Sequence, residues 1–200
     1  TSEKERPALA RLFNDNLFQY TNTEKLREAG YLANPKPVIV HTSYHIDTGL
    51  TDKDIELMKS KNIMSAEWMD KIAKDADRNY TIYSHYKKNR TEYGKTLVFA
   101  VNIRHADLLK HIFNSEGEIS EYVASYRHDD VNDSRSDIIS RFKDPNSGLD
   151  VLINVEMLTE GVDIPAVKTV LLTRPTKSET LFRQMIGRAL RGKKTGGTDI

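Results

Sequence analysis

From Thr96 onward, apolar residues come in short unbroken runs separated by stretches of helical period. TLVFAV (Thr96–Val101), EYVASY (Glu121–Tyr126), VLINV (Val151–Val155) and KTVLLT (Lys168–Thr173) are rich in β-branched and aromatic side chains and read as strands. After the first, Asn102 stands as a helix cap, and an amphipathic helix runs through Ala106, Leu109 and Phe113. A second helix, from about Asp133 to Phe142, turns Ile138, Ile139 and Phe142 inward. A short helical turn follows VLINV, and a last helix runs to Leu190. Strands that are apolar along their whole length have no wet face, so helices must cover both sides of the sheet. The pattern predicts a three-layer α/β domain with a mostly parallel sheet. Ligands in such folds sit beyond the carboxyl ends of the strands, which points to the loops after Val155 and Thr173.

Upstream of Thr96 the pattern is looser. A helix is expected around Pro7–Phe18, and Gly30, Asn34, Pro35 and Pro37 then punctuate the chain. PVIVHTS (Pro37–Ser43) reads as a strand. Residues 51–90 read as polar and helical, with Thr51 and Ser65 as N-caps and Trp68, Ile72 and Ala76 spaced along one face. The division expected is a connecting segment over 1–35 and one domain over 36–200. That domain carries a helical insertion at about 51–90, either packed on the main body or serving as a lid or partner contact.

Composition narrows the classes. The 200 residues suffice for one good-sized core. Thirty Lys and Arg stand against 29 Asp and Glu, a formal net charge of +1. That balance disfavours a protein that coats nucleic acid, but it leaves room for a local grip on phosphates. With no cysteine, disulfides and thiolate metal sites are excluded and an intracellular, cytoplasmic setting is favoured. No stretch approaches the roughly 18 apolar residues of a membrane span, so no membrane partner is expected. The start at Thr1, without a signal peptide, reads as a piece of a longer soluble protein.

Two segments carry the chemistry. Between Arg183 and Thr198 the charged residues are Arg183, Arg188, Arg191, Lys193 and Lys194, with no acid among them. Thr176 and Glu179 fit a capping box, and the helix LFRQMIGRALR is expected to end at Gly192 as its C′ residue. At about 100° per residue, Phe182, Met185, Ile186, Ala189 and Leu190 share a face. Gln184, Arg188 and Arg191 then fall opposite, within roughly 60°, beside the bare Gly187. Two planar guanidiniums and an amide on one stripe suit a polyanion such as a triphosphate. A solvated basic face is the competing reading. The second segment is EMLTEGVDIP, which follows VLINV and places Thr159, Glu160, Gly161 and Asp163 at the sheet's carboxyl edge. Gly161 allows close backbone approach, and Asp163 suits a ribose hydroxyl, a water or a neighbouring arginine. An ordinary surface turn is the alternative.

Together these segments resemble the C-terminal RecA-like domain of superfamily 2 helicases. VLINVEMLTEGVDIPAVKTVLLTRPT is similar to motif V with its following strand, QMIGRALRG to motif VI (Q-x-x-G-R-x-x-R), and TLVFAV, with Phe99, to motif IV. The Arg135–Phe142 helix resembles the one before motif V. The wording most resembles the DEAD/DEAH-type, type III restriction helicase-subunit branch, which acts mostly on DNA, and is similar also to the helicase of the excision-repair system. The resemblance spans about Lys95–Gly197. It implies that Arg188 and Arg191 face the γ-phosphate as arginine fingers and that Gln184 lies at the interdomain cleft. It further implies that Gly161 and Asp163 contact nucleotide or its coupling network, and that Thr159 and Glu160 link that network to nucleic acid. The implied partners are ATP with Mg²⁺, held mainly by a first RecA-like domain of the same protein, and nucleic acid, DNA ahead of RNA. Residues 1–35 would be the exit from that first domain.

The chain has no Walker A loop and no Walker B acid. Gly94-Lys95-Thr96 imitates part of one but precedes its strand, and Gly192-Lys193-Lys194 puts Lys194 where Ser or Thr belongs. His41 and His45 have metal-ligand spacing without a third candidate ligand, and Asp129-Asp130 reads as a solvated turn. The leading expectation is half of an ATP-dependent motor whose isolated chain hydrolyses no ATP. The alternative is a catalytically dead RecA-like module that binds nucleic acid or a partner. An oxidoreductase fails for want of a G-x-G-x-x-G after a strand.

Overall fold

The computed structural model describes residues 23–42, 50–60, 64–124, 135–155, 167–188 and 190–197. In chain order they form α1 (Thr23–Glu28), α2 (Asp52–Ser60), α3 (Ala66–Lys74), α4 (Ala76–Tyr93), β1 (Thr96–Phe99), α5 (Ile103–Ser115), β2 (Ser120–Ala124), α6 (Arg135–Lys143), β3 (Val151–Val155), β4 (Thr169–Leu172), α7 (Glu179–Gly187) and a 3₁₀ turn, Lys193–Thr195. The four strands form one sheet in the order β2-β3-β1-β4. All three pairings are parallel.

Alternation along the strands divides the core. Leu97, Phe99, Val123 and Leu152 turn to one side, where Ile138 and Phe142 of α6 and Met185 of α7 meet them. Val98, Ala100, Val151, Ile153 and Val155 turn to the other, against Tyr83 and Tyr86 of α4 and Ala106, Leu109 and Phe113 of α5. There the Phe113 ring lies edge-on to Tyr83, centroids 5.4 Å apart, and 5.2 Å from Tyr86. This is the three-layer α/β arrangement that the unbroken apolar runs demand.

Local signals place most boundaries. Asn102 caps α5 by accepting from the His105 N–H, and Ser65 caps α3 by accepting from Trp68 N–H. Thr51 and Asp54 exchange hydrogen bonds at the start of α2: the Asp54 N–H donates to Thr51 Oγ1, and the Thr51 N–H to Asp54 Oδ2. A bond from the Ser65 side chain first, and then those from the Thr51 hydroxyl and N–H, hold the Asp54 carboxyl down to a pKa of about 2.

Three expectations are corrected. Pro37–Thr42 is not a strand, and Val38, Ile39 and Val40 are exposed. β-propensity marks a residue that fits a half-buried pleated surface, and among the described residues no strand pairs with this run. Ala76 is exposed instead of joining Trp68 and Ile72 inside, because Asp75 ends α3 and caps α4; Ala73 takes the inner place. The second strand begins at Ser120, one residue before Glu121. The calls at Pro7–Phe18, Ser125, Tyr126, Asp133 and the helical turn after VLINV lie outside the described residues.

Candidate functional site

β1 lies between β3 and β4, with Phe99 level with both Asn154 and Leu172. The carboxyl ends of β3 and β4 therefore flank β1 at the same sheet edge, about 10 Å apart at two strand spacings. The loop with Thr159, Glu160, Gly161 and Asp163 leaves from the first of these ends. Those four residues lie outside the described ones. The segment leading to the arginines leaves from the second end. Thr173 anchors it, its N–H and Oγ1 both donating to Phe99 O, at 3.2 and 2.8 Å. Arg78 of α4 donates from Nη2 to the Thr173 carbonyl.

The cap of α7 is Ser178, whose Oγ accepts from the Leu181 N–H at 3.2 Å. The capping-box expectation put Thr176 there. Thr176 instead accepts from the Ser178 N–H, and Glu179, as the first helical residue, pairs with Arg183 at 2.6 Å. Leu181 and Met185 are the residues that pack inward, and Met185 is fully buried. Phe182, placed on the apolar stripe by the sequence pattern, is 44% exposed. Gln184 and Arg188 are half-buried, on one shoulder of the inner stripe, about 100° and 60° from Met185. They are not opposite the apolar face as expected.

The helix stops at Gly187, with Arg188 as its C-cap. It does not reach Leu190. The reason is a competing partner for the backbone. The Ala33 N–H donates to Leu190 O, the Gly192 N–H to Tyr31 O and the Lys194 N–H to Gly30 O, each at 3.0 Å. Leu32 and Arg191 form an antiparallel bridge. Arg191 is therefore held by an extended pairing and not by the helix, and it is half-buried. Gly192 is not a left-handed C′ residue, since its φ is −80°. It is glycine because of close approach: a Cβ there would lie 2.8 Å from Gly30 C and 2.9 Å from Leu32 N. Lys194 lies over the Tyr31 ring, 5.0 Å from its centroid.

Sequence reasoning missed a buried polar chain beneath this edge. His105 is fully buried. Its Nδ1 accepts from the Val101 N–H at 3.1 Å, so the neutral ring carries its proton on Nε2. That proton is donated to Asn79 Oδ1 at 2.9 Å, and Asn79 Nδ2 donates to Ala73 O at 2.8 Å. Burial, and then the Arg78 charge, lower the His105 pKa to about 3. These bonds tie Val101, just beyond β1, and α5 to α4 and α3. Their one visible signal was a helical histidine three residues after an Asn cap, which a surface position would share.

Lys95, part of the imitation phosphate loop, is occupied at the amino end of the sheet. Its Nζ donates to Leu149 O at 2.7 Å and Asp144 O at 3.1 Å. Among the described residues no group of three acidic, His or Cys side chains could hold a metal ion. Among them, too, no helix is long and apolar enough to cross a membrane. Gln184, Arg188 and Arg191 offer one amide and two guanidiniums within eight residues, a donor set that fits phosphate oxygens.

Residues 77–193 match the family model described as the helicase conserved C-terminal domain. A Saccharomyces cerevisiae protein named as an ATP-dependent helicase, IRC3, is 34% identical over 155 residues, which is 75% of this chain and 21% of that protein. The type I restriction enzyme EcoKI endonuclease subunit of Escherichia coli K12 is 35% identical over 108 residues, 48% of this chain and 9% of that one. The chain thus spans about a fifth or less of these curated relatives. Among solved structures, a fragment named as an HsdR subunit of a type I restriction enzyme from Vibrio vulnificus YJ016 superposes with a TM-score of 0.51 at 23% identity. It covers 69% of this chain and 28% of its own, and the likeness concerns the fold.

Proposed function

The chain belongs to the superfamily 2 helicase C-terminal domain family, with its RecA-like α/β fold, and on that premise we propose that it is the second motor domain of an ATP-dependent DNA helicase or translocase. ATP with Mg²⁺ binds mainly on a first RecA-like domain of the same protein, and this chain closes the site. Residues 1–35 leave that first domain, and 36–200 form the second. Its helical insertion at about 51–90 joins the core through Tyr83 and Tyr86. A cysteine-free chain suits the cytoplasm.

The observation that carries this reading is the placement of Gln184, Arg188 and Arg191. They follow the sheet edge that ligands use in such folds, at half-burial where a guanidinium is neither fully solvated nor spent on the core. Arg188 and Arg191 act as fingers, meeting the charge that develops on the transferred phosphoryl oxygens. Gln184 stands at the cleft beside them. Thr159, Glu160, Gly161 and Asp163 couple nucleotide to the strand being moved. What this chain's residues supply is positioned positive charge, since phosphoryl transfer leaves a protein little covalent chemistry to do.

The test measures ATP hydrolysis by the full-length protein alone, with single-stranded DNA and with single-stranded RNA. Stimulation by DNA well above that by RNA is expected. Equal or greater stimulation by RNA overturns the DNA assignment. Absence of hydrolysis under all three conditions overturns the motor reading in favour of a dead binding module.

A further inference from the structure

The pairing between Gly30–Ala33 and Leu190–Thr195 buries Ala33 but lies outside both clusters that sandwich the sheet. It joins two segments separated by roughly 160 residues through main-chain bonds, and it does so at the arginines. Ala33 N–H holds the carbonyl of Leu190, the residue before Arg191, and Tyr31 O takes the N–H of Gly192, the residue after it. Thr195 Oγ1 adds a bond to Tyr31 O at 3.1 Å. The tail then folds back on itself, the Gly197 N–H donating to Gly192 O at 3.0 Å. At Gly197, too, a side chain is shut out, since a Cβ would lie 2.5 Å from the Arg191 carbonyl carbon.

We propose that Tyr31–Ala33 is a positioning strap which, by seating against Gly192, fixes the backbone that aims Arg191 and, three residues earlier, Arg188. This rests on the reading that those arginines act on nucleotide. Two features distinguish a strap from incidental contact. First, the helix ends at Gly187 with Arg188 as its cap, and the strap's bonds begin at Leu190, so Arg191 is placed by the strap and not by helical geometry. Second, Gly192 admits no side chain without opening the pairing by several tenths of an ångström to about 1 Å. A shift of that size away from the reacting atoms is enough to lower turnover by about 10²-fold. Tyr31, 46% exposed and covering Lys194, is a second, gentler handle. Because the strap lies in the segment assigned to the exit from the first domain, whatever moves that segment also moves the arginines.

The experiment compares wild type, Gly192→Ala, Tyr31→Ala and Arg191→Ala in the full-length protein, measuring kcat, KM for ATP and melting temperature. The strap predicts that Gly192→Ala lowers kcat by about 10²-fold, with KM within about twofold and the main unfolding transition in place. Tyr31→Ala, which keeps every main-chain bond, lowers kcat about two- to fivefold, the worth of an exposed cation–π contact. Wild-type kcat in Gly192→Ala overturns the strap, as does a kcat loss that merely follows loss of folded protein. If Gly192→Ala does not fold, Tyr31→Ala decides, and wild-type turnover there is the contrary result. Wild-type turnover in Arg191→Ala overturns the reading beneath the strap; full loss in Arg191→Ala with none in Gly192→Ala overturns the strap alone.

Discussion

His105 shows how one buried side chain ties pH to stability in this fold. Its ring stays neutral, since the Val101 N–H occupies Nδ1 while burial and the Arg78 charge oppose a second proton. An unfolded histidine titrates near 6.5, and the folded one is held down to about 3. Between those values the unfolded chain binds the extra proton, so stability falls as pH drops through that window and is fully present above it. The slope is about 1.4 kcal/mol per pH unit at most. Thermal unfolding of this domain followed from pH 7.5 to pH 4.5 is therefore expected to show a falling melting temperature. His105→Gln is expected to flatten the fall, its amide having no proton to gain. A variant as acid-sensitive as wild type would place the sensitivity elsewhere.

At the scale of elements, α7 separates two caps that the sequence offers side by side. Ser178 accepts the Leu181 N–H, whereas Thr176 accepts only from Ser178. Ser178→Ala is expected to destabilise the domain by about 1 kcal/mol in denaturant unfolding, and Thr176→Ala by clearly less. The reverse order would restore Thr176 as the cap. The strands and the caps at Asn102 and Ser65 were readable in the sequence because their signals are local: continuous apolar runs, and a short acceptor before a periodic stretch. What was not readable depends on distant partners. Val38–Val40 has the composition of a strand, yet no described strand lies beside it. The helical period through LFRQMIGRALR gave no warning that Gly30–Ala33, far upstream, takes main-chain bonds from Leu190 onward. The common stripe expected for Gln184, Arg188 and Arg191 was not legible, because Arg191 leaves the helix. Buried His105 and Asn79 looked like any polar helical residues until the fold enclosed them.

At the scale of the whole molecule, the described residues form a parallel sheet covered on both faces, with Gly30–Ala33 bonded to Leu190–Thr195. The chain supplies positive charge and no phosphate cradle, which fits one side of a composite site. The most direct measurement is ATP turnover by the full-length protein carrying Arg191→Ala, taken with nucleotide affinity and melting temperature on the same samples. A finger acts on charge that develops in the transition state, so turnover should fall by about 10³-fold or more while affinity falls far less. Arg191→Lys should also be poor, having the charge without the planar fork. The melting temperature should hold, because the main-chain bonds on either side of Arg191 need no side chain. Turnover at the wild-type rate, or a melting temperature several degrees lower that accounts for the loss, would contradict the account.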